Sequence, residues 1–392
     1  MRIVLPHLLI LGLYSMQNHQ ALKQKGFTLV EIMVGLIIGL LVTLVVVNVF
    51  RVFEAQKRTT TGNSDAQTNG AIALFNIQRE TQIAGFALPV YGSEFSPFNC
   101  PINTTVDHDN NPAAASPPIG LSPIVITDAN GANASDTIAI RYGDSMKGGI
   151  AVDMLAGTAA NVAQVDTNIG CSLNDVVLVV RQTTPLTCSM TRVGLPPASL
   201  TAAGVSPVRV ALNSTTNVAV GNALACLGVW NEVQYAVTAN QLTRTGDVTG
   251  VAPNRVPSTV AVPMVADIVA MQAQYGVSAS ANSNQVTQWV NATGAWANTA
   301  TTPVLADRNR IKAIRVAVVA RNGLLETANV TNACSSLTAA QPTGLCAWDG
   351  AEVGSAAPAI DLSADANWRR YRYRVYESVI PVRNIIWSRD VL

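Results

Sequence analysis

Glu31 is the one charged residue in the 24-residue run FTLVEIMVGLIIGLLVTLVVVNVF, from Phe27 to Phe50. A carboxylate held in hydrocarbon is expensive, so an acid in such a run is paired with a cation, functional, or close enough to the interface to snorkel to water. As a helix the run extends about 36 Å at about 1.5 Å per residue, enough for a bilayer core of about 30 Å. Gly35 and Gly39 within it form a GxxxG, which either admits a neighbouring backbone closely or is a chance spacing. Lys23 and Lys25 precede the run, and a basic flank is retained in the cytoplasm, so the chain beyond Phe50 is expected outside it.

Other chemistry is sparse. Of three histidines, His7 and His19 precede the apolar run, leaving His108, so a histidine-pair metal site is excluded there and a Ser-His-Asp triad disfavoured. The segment Asp107-His108-Asp109-Asn110-Asn111-Pro112 begins like a calcium loop, but Pro112 stands at the turn glycine and Pro118 at the bidentate acid, so it reads as an exposed loop. Gly143-Asp144-Ser145-Met146-Lys147-Gly148 fails the glycine spacing of a nucleophile elbow and reads as a turn after a strand. No phosphate-binding loop or dinucleotide fingerprint occurs, and no cofactor is expected. The six cysteines, Cys100, Cys171, Cys188, Cys226, Cys334 and Cys346, make no metal-ligand spacing, and their even number favours disulfides. Six allow about 15 pairings. Cys334 with Cys346, the nearest two in sequence, is the best single candidate.

Arg2, Lys23 and Lys25 precede Phe27 with no acid, so 25 basic residues less these 3 leave 22 against 24 acids. Beyond Phe27 the only lysines are Lys57, Lys147 and Lys312, which sets nucleic-acid binding aside. With 392 residues, 49% hydrophobic and only 12% charged, the chain has ample material for a core and suits an extracytoplasmic β-rich protein.

These features must be positioned by a long helix and a sheet domain. Past Arg51 the helix is expected to continue as an amphipathic stem, with Ile72, Phe75, Ile83 and Phe86 in one stripe, Arg79 among them, and Leu74 and Ile77 on other faces. Apolar on more than one side, it suits packing against both its own domain and other helices. Thr59–Asn63 is a poor helix former, and Gly85 and Pro89 mark the end. Strands are expected at Pro123–Thr127, Asp136–Tyr142, Asp175–Arg181, Val208–Ala211, Val229–Val237, Gln241–Thr243, Ile268–Tyr275, Ile311–Ala320 and Arg370–Ile380, forming one or two antiparallel sheets. Asn103–Leu121, Leu195–Ser206 and Ser278–Ala306 read as loops. From Arg370 the chain alternates, with Arg370, Arg372 and Arg374 on one face and Tyr371, Tyr373 and Val375 on the other. That arginine face is either solvated or docks an acidic partner.

The sequence Lys25-Gly26-Phe27-Thr28-Leu29-Val30-Glu31, followed at once by the apolar run, resembles the prepilin peptidase site of type IV pilins and type II secretion pseudopilins. Ile77–Phe86 and the C-terminal stretch Trp368–Trp387 resemble PilW-type minor pilins, and Ile311–Arg321 resembles a strand shared by PilW and the GspJ pseudopilins. The resemblance implies cleavage between Gly26 and Phe27, N-methylation of Phe27, and a Glu31 that neutralises the new Phe27 amine of a neighbouring subunit. It also implies an α+β fold: leader 1–26, transmembrane helix half 27–50, amphipathic stem 51–86, and a large antiparallel β-sheet globular domain 87–392 packed on the long helix. The leader MQNHQALKQKG makes Met16 a candidate start. The expected function is that of a non-enzymatic minor pilin near the fibre tip, priming pilus assembly. The expected partners are the prepilin peptidase, other minor pilins, the major pilin and the inner-membrane assembly platform. The chain would sit in the inner membrane with its C-terminal domain in the periplasm, then in the pilus at the cell surface. A GspJ-like pseudopilin is the alternative, and a membrane-anchored periplasmic enzyme or binding module a more distant one.

Overall fold

The computed structural model describes residues 26–88, 100, 105–106, 121–129, 131, 134–147, 149–156, 158–159, 161–167, 170–181, 187–194, 208–213, 218–246, 248–249, 256–299, 303–335, 343–348 and 360–387. The chain divides after Lys57 into two compact units. One helix, α1 (Leu29–Thr81), is the first element among the described residues, and the Thr59–Asn63 stretch stays helical within it. No proline interrupts it, so every backbone donor past the first turn keeps its partner four residues back.

The rest is mainly strand. In chain order these are β1 (Thr105–Val106), β2 (Ile124–Thr127), β3 (Thr137–Gly143), β4 (Ala151–Asp153), β5 (Val162–Val165) and β6 (Val176–Arg181). There follow β7 (Thr187–Arg192), β8 (Val208–Ala211), β9 (Ala223–Gly228), β10 (Trp230–Thr238), β11 (Gln241–Thr245) and β12 (Val248–Thr249). Last come β13 (Val256–Pro257), β14 (Val262–Ala266), β15 (Ile268–Ser278), β16 (Val286–Val290), β17 (Ile311–Arg321) and β18 (Tyr373–Pro381). Two short helices, α2 (Leu305–Arg308) and α3 (Arg383–Trp387), flank β17 and close the described chain.

Among the described residues these strands form three main sheets and two small pairs. The central sheet runs β16-β15-β17-β18, a second runs β14-β11-β10-β3-β2, and a third runs β1-β7-β6-β9-β4, beside β12-β13 and β5-β8. The pairings are antiparallel except β1 with β7. The expected one or two sheets thus become three. The two longest strands explain the central position: β15 is buried along its whole length and β17 all but its last residue, as strands covered on both faces must be. One core joins the stem to the three sheets, through Ile77, Ile140, Leu178, Tyr235, Met271, Val316 and Ile380. A second lies behind the third sheet around Val177, Val179 and Leu224. A third covers the far face of the central sheet with Leu345, Ala347, Ile360 and Leu362.

The stem docks by its small residues. Ala66, Gly70, Ala73, Ile77 and Thr81 recur at helical spacing and are buried. A Cβ added at Gly70 would lie 2.2 Å from the Tyr376 ring, and one at Gly62 would meet Asn322. Backbone therefore lies against sheet side chains. The stripe of Ile72, Phe75, Ile83 and Phe86 instead stays exposed, and Ile77, assigned from sequence to another face, is the residue that reaches the core. Hydrophobicity alone does not identify a contact face chosen for close approach.

Polar bonds close the stem. Glu80 takes Arg244 Nε at 3.1 and 3.3 Å and Nη2 at 2.7 Å, with both side chains largely out of solvent. Beyond the last helical turn, Gly85 at φ 75 donates to the Arg141 carbonyl at 2.8 Å, and Asn384 donates to that of Ala84 at 2.7 Å.

Three expectations change in detail. Ser278–Ala306 contains β16, whose Trp289 packs over Gly276, so this is not one long loop. The final strand starts at Tyr373 rather than Arg370, because Trp368–Arg370 forms a 3-10 turn. The three arginines bind within the chain: Arg370 to the Glu326 carbonyl at 2.7 Å, Arg372 to the Glu326 carboxylate at 2.8 Å and Arg374 to Asn63 at 3.4 Å. The other two expected loops and the His108 segment fall largely outside the described residues, apart from β1 within the first.

The half of β15 that β16 leaves uncovered is taken by the segment entering β3. Asp136, wholly buried, accepts the Ala129 amide at 3.0 Å and the Ala273 amide at 2.8 Å. Burial raises its pKa from 3.8 to about 7 against the pull of those two amides, with Asp128 adding to the rise. The folded chain holds this proton to about pH 7 while the unfolded chain releases it near 3.8, so Asp136 makes stability fall as pH rises between those values. Above about 7 its effect is constant. The melting temperature of the wild type relative to that of Asp136→Asn should therefore fall steadily from pH 4 to about 7 and stay constant from there to pH 8.

Candidate assembly site at the helix start

Thr28 precedes the first helical residue, and Glu31 lies in the first turn. Glu31 Oε2 accepts both the Thr28 N–H and the Thr28 hydroxyl at 2.9 Å, while the Glu31 N–H donates to Thr28 Oγ1 at 3.3 Å. This reciprocal pair is a capping box: two donors that a helix start leaves without intrahelical partners are satisfied by side chains three residues apart. A negative charge here also meets the positive end of the helix dipole. Sequence reasoning weighed for Glu31 a cation partner, a functional role or a reach to water, and missed Thr28, although the Thr-x-x-Glu spacing that signals the box was in view.

Both bonds fall on Oε2, and Oε1 meets no donor among the described residues. The carboxylate is thus oriented by its own chain while one oxygen remains able to take a cation. Phe27 is 84% exposed, and Gly26 beside it has open space around its Cα. Cleavage of the Gly26–Phe27 bond would place an amine one residue before the Thr28 cap without removing either partner of the box.

Downstream the helix presents apolar side chains all round, from Leu29 to Phe53, none of them buried. It is long and apolar enough to cross a membrane. Gly35 and Gly39 have nothing within 4 Å of a built Cβ, so neither is required by contacts of the single chain. Thr43 returns its hydroxyl to the Gly39 carbonyl at 2.5 Å, which hides a polar group the hydrocarbon would otherwise penalise.

Cys334 and Cys346 are joined, with Cα atoms 4.9 Å apart. Cys100–Cys188 and Cys171–Cys226 are the other two bridges, tying the third sheet to segments 88 and 55 residues away in sequence. The Cys334–Cys346 loop leads to Trp348, whose ring lies 4.4 Å from the Arg315 guanidinium, with Trp289 on the same group at 5.0 Å. Asp144 accepts the Val229 amide at 2.6 Å in the turn after β3. Among the described residues no group of three or more His, Cys, Asp or Glu side chains is arranged to hold a metal ion.

The family model described as Prokaryotic N-terminal methylation motif matches residues 22–47, and that described as Type IV Pilus-assembly protein W matches residues 233–384. No curated protein and no solved structure matches the chain. The first match covers the capping box and the apolar run. The second starts inside β10 and ends in α3, taking in the whole central sheet and leaving the third sheet outside it.

Proposed function

We propose that this PilW-like, pilin-type chain is a minor pilin of a type IV pilus, cut between Gly26 and Phe27, that acts in a tip-proximal complex priming fibre assembly. The observation that carries the reading is Glu31: a carboxylate held in place by Thr28, with one oxygen toward no donor among the described residues, at the head of an exposed apolar helix. Packed beside a second such helix with an axial offset, that oxygen takes the amine of the neighbour's first mature residue. Pairing sets the stagger between subunits, and an unpaired carboxylate in hydrocarbon disfavours any other offset. A subunit that retains the acid sits beneath another and binds its amine, so its place is near the tip and not the outermost cap. The large three-sheet domain carried on one stem supports a position where lateral crowding is least. Its family matches point to a structural protein rather than an enzyme.

The test is mass spectrometry of the chain recovered from sheared surface pili. The expected N-terminal peptide begins at methylated Phe27, with the chain present in far fewer copies than the shaft subunit. An intact Met1 or Met16 terminus overturns the reading, as does a chain absent from pili and required only for enzyme export.

A further inference from the structure

At the root of the stem the sheet domain presents a surface that its own packing leaves uncovered. Asn322, just past β17, lies against Gly62, and Arg374 Nε donates to Asn63 at 3.4 Å, so the first docked turns of the stem fix this edge. Residues 322–330 then fold back over the chain entering β18. The Asn322 amide donates to the Arg372 carbonyl at 2.9 Å, that of Glu326 to Arg370 at 2.8 Å and that of Val330 to Arg369 at 2.8 Å. Leu325 and Val330 of this fold-back are 40% and 38% exposed, although apolar.

Segments 321–331 and 365–374 therefore share one surface, and between them they hold five arginines and two acids. Both acids are already met, Glu326 by Arg372 at 2.8 Å and Asp365 by Arg321 at 3.8 Å. Arg369 and Arg374 are exposed and make no ion pair among the described residues, and Arg369 lies over the half-buried Trp368 ring at 5.2 Å. Exposed aliphatic side chains, aromatic rings and surplus arginine together suit a membrane interface, where rings sit at headgroup level and guanidiniums meet phosphates.

Chain length says what faces this surface. Asn63 is ten residues past Phe53, where the exposed apolar side chains of the first half of α1 end. Ten residues reach about 36 Å at most, so with the apolar run in a bilayer the root of the domain stays close to it. An acidic protein would also satisfy the arginines, but it must be recruited, whereas the bilayer is tethered to the same chain.

We propose that the surface formed by Leu325, Val330, Trp368, Arg369 and Arg374 rests on the anionic phospholipid headgroups of the membrane that holds the apolar run. Arg369 and Arg374 meet phosphates, and Leu325 reaches the acyl boundary. The occupant rests on the reading of the apolar run as a membrane anchor.

The test reconstitutes the full-length chain in vesicles of phosphatidylcholine, alone or with about one part in four of phosphatidylglycerol. An environment-sensitive fluorescent amino acid stands at position 325, and brominated acyl chains act as quencher. Position 146, exposed in the turn after β3 beside Ala87 at the other end of the stem, is the comparison. Expected is quenching at 325 about threefold stronger with phosphatidylglycerol than without, and none at 146. Arg369→Glu with Arg374→Glu should lower it to the phosphatidylcholine level, Arg369→Lys with Arg374→Lys should keep it, and added salt should weaken it. Quenching at 325 that is absent, equal in the two vesicles or unchanged by the charge reversal overturns the surface. So does a label at 325 that becomes shielded only when other pilus proteins are added, which assigns the face to an acidic protein. A label at position 40 that bromine fails to quench overturns the anchor reading instead, so the two failures are separable.

Discussion

On the assembly reading, Glu31→Ala is expected to leave the sheet domain folded and the proposed cleavage at Gly26–Phe27 intact while reducing recovery in sheared pili by tenfold or more. About 1.4 kcal/mol is a factor of ten in an equilibrium, and the loss of a charge pair desolvated on both sides exceeds that. The capping box adds a control. Thr28→Ala removes the hydroxyl that fixes the carboxylate but leaves the charge, which costs the helix start about 1 kcal/mol. Its recovery should therefore lie between wild type and Glu31→Ala. Glu31→Gln separates the two roles: it can accept the Thr28 donors but cannot neutralise an amine, and it should behave like Glu31→Ala. Full recovery of Glu31→Gln would leave only the cap as the residue's role.

Gly70→Val should lower the melting temperature of the domain more than any substitution on the exposed face of the stem. Its Cβ would stand 2.2 Å from Cδ2 and Cε2 of Tyr376, closer than any packed carbon pair tolerates, and the γ-methyls need further room. Overpacking of this kind costs about 1–3 kcal/mol even after side chains shift. Combining it with Tyr376→Ala should return part of the loss, so the double variant is more stable than the sum of the singles predicts. Gly35→Ala and Gly39→Ala, which meet nothing in the single chain, should leave the thermal transition of the domain unchanged. Additive losses at positions 70 and 376 would mean that the stem does not lie against Tyr376.

Local, one-dimensional patterns determined the parts of this protein that were legible in the residues. The 24-residue apolar run, its solitary acid and the basic residues before it need no tertiary information, because hydrocarbon acts on each side chain by type. The long apolar strands β15 and β17 were equally plain, since strands buried on both faces read as continuous hydrophobic runs. β7, with the sequence TCSMTR, was not: its Thr191 and Arg192 are buried by neighbours that only folding supplies. The strands of the β10–β11 hairpin were legible, although it turns on Ala239 and Asn240, at φ 51 and 59, without the glycine that announces such a turn.

Tertiary structure alone decided two further things. Two of the three disulfides, Cys100–Cys188 and Cys171–Cys226, could not be picked from the many pairings six cysteines allow, because they depend on which strands become neighbours, whereas the short-range Cys334–Cys346 bridge was expected. Above all, the buried face of the stem was chosen by fit rather than by apolar area: Gly62, Ala66, Gly70 and Ala73 let the helix backbone reach the sheet, and the larger Ile72 and Phe75 were left outside.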